Sequence, residues 1–166
     1  MIKLYKNIDN ALQYWETWDK DQKTGIVHWG IVGQQGENKE VKSSLFESFR
    51  KKIQKEINGK VNEGFGEIDI DDHHTLLIEF AIKDMGTPED LNKRTKLQTK
   101  MDGILGWTGL GHCDGGSIGS GTMEVCCFVV DFNIAKQVIE QALKGTEFAN
   151  YTRIYDENVE SLLQNL

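Results

Sequence analysis

The chain has 166 residues, of which 39% are hydrophobic and 27% charged, and it carries a formal net charge of −7 at pH 7. This composition, with a single proline, excludes an intrinsically disordered chain, and the longest apolar run, Val125 to Val130, is far shorter than the roughly 18 residues that span a bilayer. Charges are scattered through the N-terminus, where a signal peptide has an apolar stretch, so we expect a cytoplasmic protein without membrane association.

Four short strands are predicted at the start of the chain. They cover Leu4–Lys6, Tyr14–Trp18, Ile26–Ile31 and Glu37–Val41, where aromatic and β-branched residues alternate with polar ones. Gly33 and Gly36 bracket a hairpin turn between the third and fourth strands. In the third strand, Trp29 is expected to pack inward, and Gly30 allows a close approach of another backbone.

An amphipathic helix is predicted next. Ser43 or Ser44 can cap it, and Gly59 ends it. Its apolar positions recur at helical spacing: Phe46, Phe49, Ile53 and Ile57. Basic residues lie mostly beside this stripe: Arg50, Lys51, Lys52 and Lys55. They form either a solvated helix face or an anion-binding face.

The order of features from about Leu4 to Glu67 carries a family resemblance. An aromatic strand is followed by Trp29-Gly30, a hydrophobic-Gly-x-x-Gly stretch, a further strand, the amphipathic helix and a Gly-Phe-Gly-Glu ending. This order resembles the WGR domain of poly(ADP-ribose) polymerases and bacterial proteins, although Ile31 stands where the family has its arginine. Because the module contacts DNA and neighbouring domains in the polymerases, the resemblance implies recognition of nucleic acid or of a protein partner.

The rest of the chain predicts a second module with a different pattern. Strands are expected at His74–Ile82, Leu110–Asp114, Thr122–Asp131 and Tyr151–Tyr155, with helices after Thr87 and from about Ile134 to Leu143. The order strand, helix, strand, strand, helix, strand is that of ferredoxin-like folds. We therefore predict an α+β protein, with a small antiparallel-sheet WGR-like module over residues 1–69 and a ferredoxin-like module over residues 70–166.

The glycine-rich segment GLGHCDGGSIGSG, residues 109–121, is the most unusual stretch of the second module. A phosphate-binding loop connects a strand to the N-terminus of a helix, whereas here a strand follows. The pattern therefore favours a hairpin connection, with a partner-binding loop as the alternative. Four of its positions are candidate partner contacts: Asp114, Gly115, Gly116 and Ser117.

The residue types of catalytic and metal sites are present without the spacing that such sites need. Cys113, Cys126 and Cys127 are an odd number with no framework spacing, which predicts reduced thiols. A catalytic Cys113 needs a histidine from elsewhere, because consecutive residues of a strand alternate faces. The acidic and histidine-rich segment at 69–74 lacks the spacing of calcium or zinc motifs. We expect no metal, no cofactor and an exposed linker.

The net negative charge of the chain is confined to the second module. Residues 1–69 contain 11 Lys/Arg and 11 Asp/Glu, whereas residues 70–166 contain 8 and 15. The sequence predicts a non-enzymatic binding protein that recognises nucleic acid or a protein. One alternative is an immunity-type protein whose acidic module captures a basic toxin, with the loop Gly115–Gly121 and the acidic residues Asp71, Asp72, Asp114 and Glu124 as contacts. A Cys113-dependent enzyme is the other alternative.

Overall fold

A computed structural model describes residues 1–164, which form two compact units, Met1–Asp69 and a second one beginning at Ile70. The first unit combines an antiparallel sheet with one α-helix and the second unit combines another with three, so the α+β prediction is confirmed. Among the described residues, no helix combines the length and the hydropathy needed to cross a membrane.

The first unit is a four-stranded meander covered by one helix. Its elements are β1 (Ile2–Ile8), β2 (Ala11–Asp19), β3 (Thr24–Ile31), β4 (Glu37–Lys42) and α1 (Phe49–Asn62). Each strand pairs antiparallel with the next one along the chain. After α1, the backbone of Gly66 pairs with Tyr5 of β1, so the end of the unit returns to its first strand.

The hydrophobic core of the first unit lies between α1 and one face of the sheet. Leu4, Trp15 and Val27 contribute from the strands, and Phe49 and Ile53 from α1, all of them buried. Trp29 is partly buried against this cluster, as its position in β3 predicts. On the opposite face, a Cβ added to Gly30 would lie 3.0 Å from Cα of Gly36, so the expected close backbone approach is present.

The start of α1 differs from the sequence prediction. Ser48 is the N-cap, its hydroxyl accepting a hydrogen bond from the backbone N–H of Lys51. The hydroxyl of Ser43 accepts one from the N–H of Phe49, at 3.0 Å, but Ser43 lies outside the helix. The helix also continues past Gly59 to Asn62. The predicted boundaries are therefore wrong, because several serines can satisfy N–H groups and only packing decides where the helix begins.

The second unit has the connectivity of a ferredoxin-like sheet. Its elements are β5 (His74–Ala81), α2 (Pro88–Trp107), β6 (Gly111–Cys113), β7 (Ile118–Gly119), β8 (Thr122–Val129), α3 (Phe132–Leu143), β9 (Arg153–Asp156) and α4 (Glu157–Gln164). The main sheet has the antiparallel order β6-β8-β5-β9, with α2 leading from β5 to β6 and α3 from β8 to β9. The short β7, α4 and a 3₁₀ turn at Ile70–Asp72 were not predicted.

Two faces of this sheet have different chemistry. Side chains that alternate along β5 and β8 form the core with α2 and α3, all of them fully buried: Leu76, Ile78, Phe80, Val125, Cys127, Leu97, Met101, Leu105, Ile139 and Leu143. The opposite face carries polar residues, including Glu79, Glu124, Arg153 and Tyr155. Leu77 is buried among them.

A disulfide joins Cys113 of β6 to Cys127 of β8, so the prediction of three reduced thiols is wrong. The two cysteines are direct partners in the strand register, with their Cα atoms 4.0 Å apart. Cys126 points to the other face of β8 and is the free thiol among the cysteines. Sequence spacing does not reveal this pairing, because it is set by the register of an edge strand.

Candidate binding surfaces

The turn before α1 exposes two large apolar side chains side by side. Leu45 and Phe46 are each 97% exposed, the highest values among the large hydrophobic residues that the structure describes. Their backbone is held by the flanking residues: the N–H of Ser44 donates to the carbonyl of Glu47 at 2.8 Å, and the N–H of Glu47 donates to Oγ of Ser44 at 3.2 Å. We call residues 44–47 the Leu45–Phe46 turn. The sequence pattern had assigned Phe46 to the buried stripe of the helix.

The four basic residues predicted to bind a partner lie beside this turn, and three of them have acceptors within the unit. Lys55 pairs with the carboxylate of Glu47 at 2.7 Å, and this hydrogen bond lowers the pKa of the Glu47 carboxyl. Lys52 donates to the carbonyl of Lys42 at 2.8 Å. Arg50 donates through Nη2 and Nε to one carboxylate oxygen of Asp19, at 2.6 and 3.1 Å. The Lys51 side chain is exposed.

These pairs leave the basic residues available to a partner. An exposed ion pair contributes only about 0–1 kcal/mol, so a partner's carboxylate or phosphate can replace Glu47 or Asp19 at little cost. The structure therefore brings together an apolar projection and a group of basic side chains. The sequence identified the basic residues but gave no signal that Leu45 and Phe46 stay outside the core.

The glycine-rich segment of the second unit lies against β8 as a hairpin arm, in agreement with the hairpin prediction. The N–H of Asp114 donates to the carbonyl of Cys126, and that of Cys126 to Gly115. Gly116 has φ near +147°, and a Cβ there would lie 2.0 Å from the carbonyl oxygen of Glu124. On the other side, the Arg94 guanidinium donates to the carbonyl of Gly116 at 2.8 Å. Of the predicted partner contacts, Asp114 and Gly115 are thus held by backbone pairing with β8, and Gly116 by the side chain of Arg94.

A polar network occupies the face of the second sheet opposite its core. The carboxylate of Glu124 accepts hydrogen bonds from the hydroxyls of Tyr155, at 2.7 Å, and Ser117, at 2.8 Å. Glu79 lies directly opposite Glu124 and is paired with Arg153 at 3.0 Å, while Arg153 also binds Glu160. Burial and the bond to Glu124 raise the pKa of Tyr155. Ser117 and Glu124, two of the predicted partner contacts, are therefore bonded to each other.

A buried polar cluster lies on the sheet face of the first unit opposite its core. His28 is fully buried, with Nδ1 2.7 Å from a carboxylate oxygen of Glu16 and Nε2 3.1 Å from the hydroxyl of Tyr14. Lys3 pairs with the second oxygen of Glu16 at 3.2 Å. In the tautomer that fits these contacts, Nδ1–H donates to Glu16 and the Tyr14 hydroxyl donates to Nε2. The cluster links β1, β2 and β3.

Over residues 1–164, no group of three or more His, Cys, Asp or Glu side chains is placed to hold a metal ion. The sulfur of Cys113 is bonded to Cys127, so Cys113 has no thiolate in this state. His112 lies beside the ring of Phe128, with centroids 5.5 Å apart.

No protein-family model matches the chain, and neither a curated protein nor a solved structure matches it. The resemblance of residues 4–67 to the WGR domain therefore stays a prediction that rests on the motif residues alone.

Proposed function

We propose that this chain is a non-enzymatic binding protein whose first unit recognises a protein partner through the Leu45–Phe46 turn. The observation that carries the proposal is the 97% exposure of both side chains in a hydrogen-bonded turn. Moving one such side chain from water into an apolar pocket contributes roughly 1.5–3 kcal/mol. The WGR resemblance supports a recognition function of the same unit.

The basic residues around the turn define the chemistry of the partner. The charges of Lys51, Lys52 and Lys55 lie near Glu47 of the turn, and Lys52 and Lys55 can exchange their present acceptors for those of a partner. The complementary surface is an apolar cleft bordered by carboxylates. A protein fits this description better than nucleic acid does, because an apolar cleft can take up both Leu45 and Phe46, whereas a base can stack on Phe46 alone.

The partner can be captured with a photoreactive residue at position 46 of the full chain, in the native cell, and then purified. Binding of the purified partner is measured for the wild type and for a Leu45→Ser/Phe46→Ser variant. We expect the variant to bind at least about tenfold more weakly, since 1.4 kcal/mol corresponds to tenfold. Its unfolding midpoint should not change, because neither side chain is buried.

The matched control is Leu162→Ser/Leu163→Ser, an adjacent pair of leucines that are 69% and 65% exposed in α4. This control should bind the partner as the wild type does. Single-stranded DNA and RNA are tested in parallel at low salt. Tight nucleic-acid binding that falls steeply with salt and is lost in Lys51→Glu would replace the protein partner with nucleic acid.

A further inference from the structure

A cleft of about 390 Å³ opens in the first unit between α1 and the strand ends where β1 begins and β2 finishes. Most of its lining residues are apolar: Met1, Ile2, Trp18, Ile53 and Ile57. The volume is within the range of roughly 300–1,000 Å³ that is typical of ligand pockets. The cleft can therefore take up bulky apolar side chains.

An exposed ion pair at the rim of the cleft can bind groups of either charge. Arg50 and Asp19 line the cleft, and their side chains are 69% and 52% exposed. Nε and Nη2 of Arg50 both donate to Oδ2 of Asp19, so this pair uses neither Oδ1 of Asp19 nor Nη1 of Arg50. A carboxylate can bind Nη1, and an ammonium group can bind Oδ1, while the pair itself stays intact.

The Leu45–Phe46 turn has the complementary chemistry. It offers two apolar side chains that are each 97% exposed, the carboxylate of Glu47, and the ammonium group of the exposed Lys51, whose charge lies near Glu47. The turn directly precedes the N-cap Ser48, and Arg50 is the second residue of α1, so turn and cleft meet at the same end of this helix. Such a self-complementary patch is what a two-fold symmetric dimer needs.

We propose that two copies of this chain form a dimer in which the Leu45–Phe46 turn of each copy inserts into the cleft of the other. Lys51 binds Asp19 of the second copy, and Glu47 binds its Arg50. The proposal names the protein partner of the turn, and it therefore rests on the proposed function of the turn.

The test is sedimentation equilibrium of the full chain at concentrations up to about 200 µM, which covers dissociation constants in the micromolar range. We expect a monomer–dimer equilibrium for the wild type. Leu45→Ser/Phe46→Ser, which removes the insert, and Gln54→Trp, which fills the cleft, should each weaken dimerisation at least about tenfold. Both variants should keep the far-UV spectrum of the wild type. Leu162→Ser/Leu163→Ser in α4 is the control, and it should dimerise as the wild type does.

A charge exchange between the two copies tests the predicted contact. Lys51→Glu and Asp19→Lys should each weaken dimerisation about tenfold, because each puts like charges together at both contacts of the dimer. An equimolar mixture of the two variants should restore it, since opposite charges then meet at both contacts. Glu67→Lys, at an exposed carboxylate of the same unit, should have no effect.

Three results would overturn the dimer: a wild type that stays monomeric, a mixture that associates no better than either variant alone, or a dimer that is lost in the α4 control and kept in Leu45→Ser/Phe46→Ser. Photo-cross-linking at position 46 separates this outcome from failure of the proposed function. A monomeric chain that cross-links to a different protein retains the binding function of the turn and loses only the second copy as its partner. A monomeric chain without any cross-linked protein loses both.

Discussion

The lack of a side chain at Gly36 allows the polar cluster around His28 to form. A Cβ at this position would lie 2.0 Å from the hydroxyl oxygen of Tyr14, 2.5 Å from the carbonyl oxygen of Trp29 and 2.7 Å from Nε2 of His28. The backbone of Gly36 also hydrogen-bonds to Tyr14. A glycine that the sequence assigns to a turn is thus also a packing residue, which no turn pattern predicts.

We therefore expect Gly36→Ala to destabilise the chain by about 1–3 kcal/mol, because the added methyl group displaces buried side chains and backbone. The matched control is Gly59→Ala, inside α1, where an added Cβ meets nothing within 4 Å. That change should stabilise the chain by about 0.5–1 kcal/mol through helix propensity. Urea unfolding measures both. Equal midpoints for the two variants would show that Gly36 has room for a methyl group.

Elements with a local signal could be predicted from the sequence, and elements fixed by packing could not. Helix α2 begins as expected, because Thr87 and Asp90 form a reciprocal capping box with Pro88 as the first helical residue. Helix α1 begins later than predicted, since Phe49 reaches the core and Phe46 does not. The basic part of the candidate surface was identified from composition, whereas its apolar part depends on tertiary contacts that the sequence does not display.

The disulfide stabilises the pairing of β6, a strand of three residues, with β8. Cys113 and Cys127 are separated by 14 residues, and closing a loop of about 15 residues contributes roughly 3 kcal/mol by reducing the entropy of the unfolded chain. We expect reduction, or the Cys113→Ala/Cys127→Ala variant, to lower the free energy of unfolding by about 2–3 kcal/mol. Urea unfolding with and without reductant measures this.

Cys126 supplies the control for this prediction. Cys126→Ala should change the effect of reductant very little, because this thiol is not part of the bridge. Thiol titration of the unfolded, unreduced chain should find one reactive group. A result of three reactive thiols, or an unfolding midpoint that is insensitive to reductant, would be inconsistent with the bridge.

Tyrosines in both units should make the free energy of unfolding fall at alkaline pH. Burial, with the nearby charge of Glu16, raises the pKa of Tyr14 to about 12 and also raises the pKa of Tyr5. In the second unit, burial and the bond to Glu124 raise the pKa of Tyr155. The folded state therefore favours the neutral phenol more than the unfolded state does.

The sign of the effect follows from this difference. The stabilisation is fully present below the unfolded pKa of about 10, and it is lost as the pH rises through the pKa of the folded state. We expect the free energy of unfolding to fall between about pH 10 and pH 12. Urea unfolding at several pH values measures this. Tyr14→Phe should show a shallower fall, and an identical slope in that variant would contradict the assignment of the effect to Tyr14.

Because Leu45 and Phe46 are exposed, selection for folding and selection for binding act separately on these two positions. Folding does not constrain the identity of either residue, because the folded state leaves 97% of each side chain in water. Random substitution at these positions should pass a screen for folded protein as readily as at any surface site, and polar residues should then accumulate there during neutral drift. Retention of apolar residues at positions 45 and 46 would have to come from selection for something outside the chain.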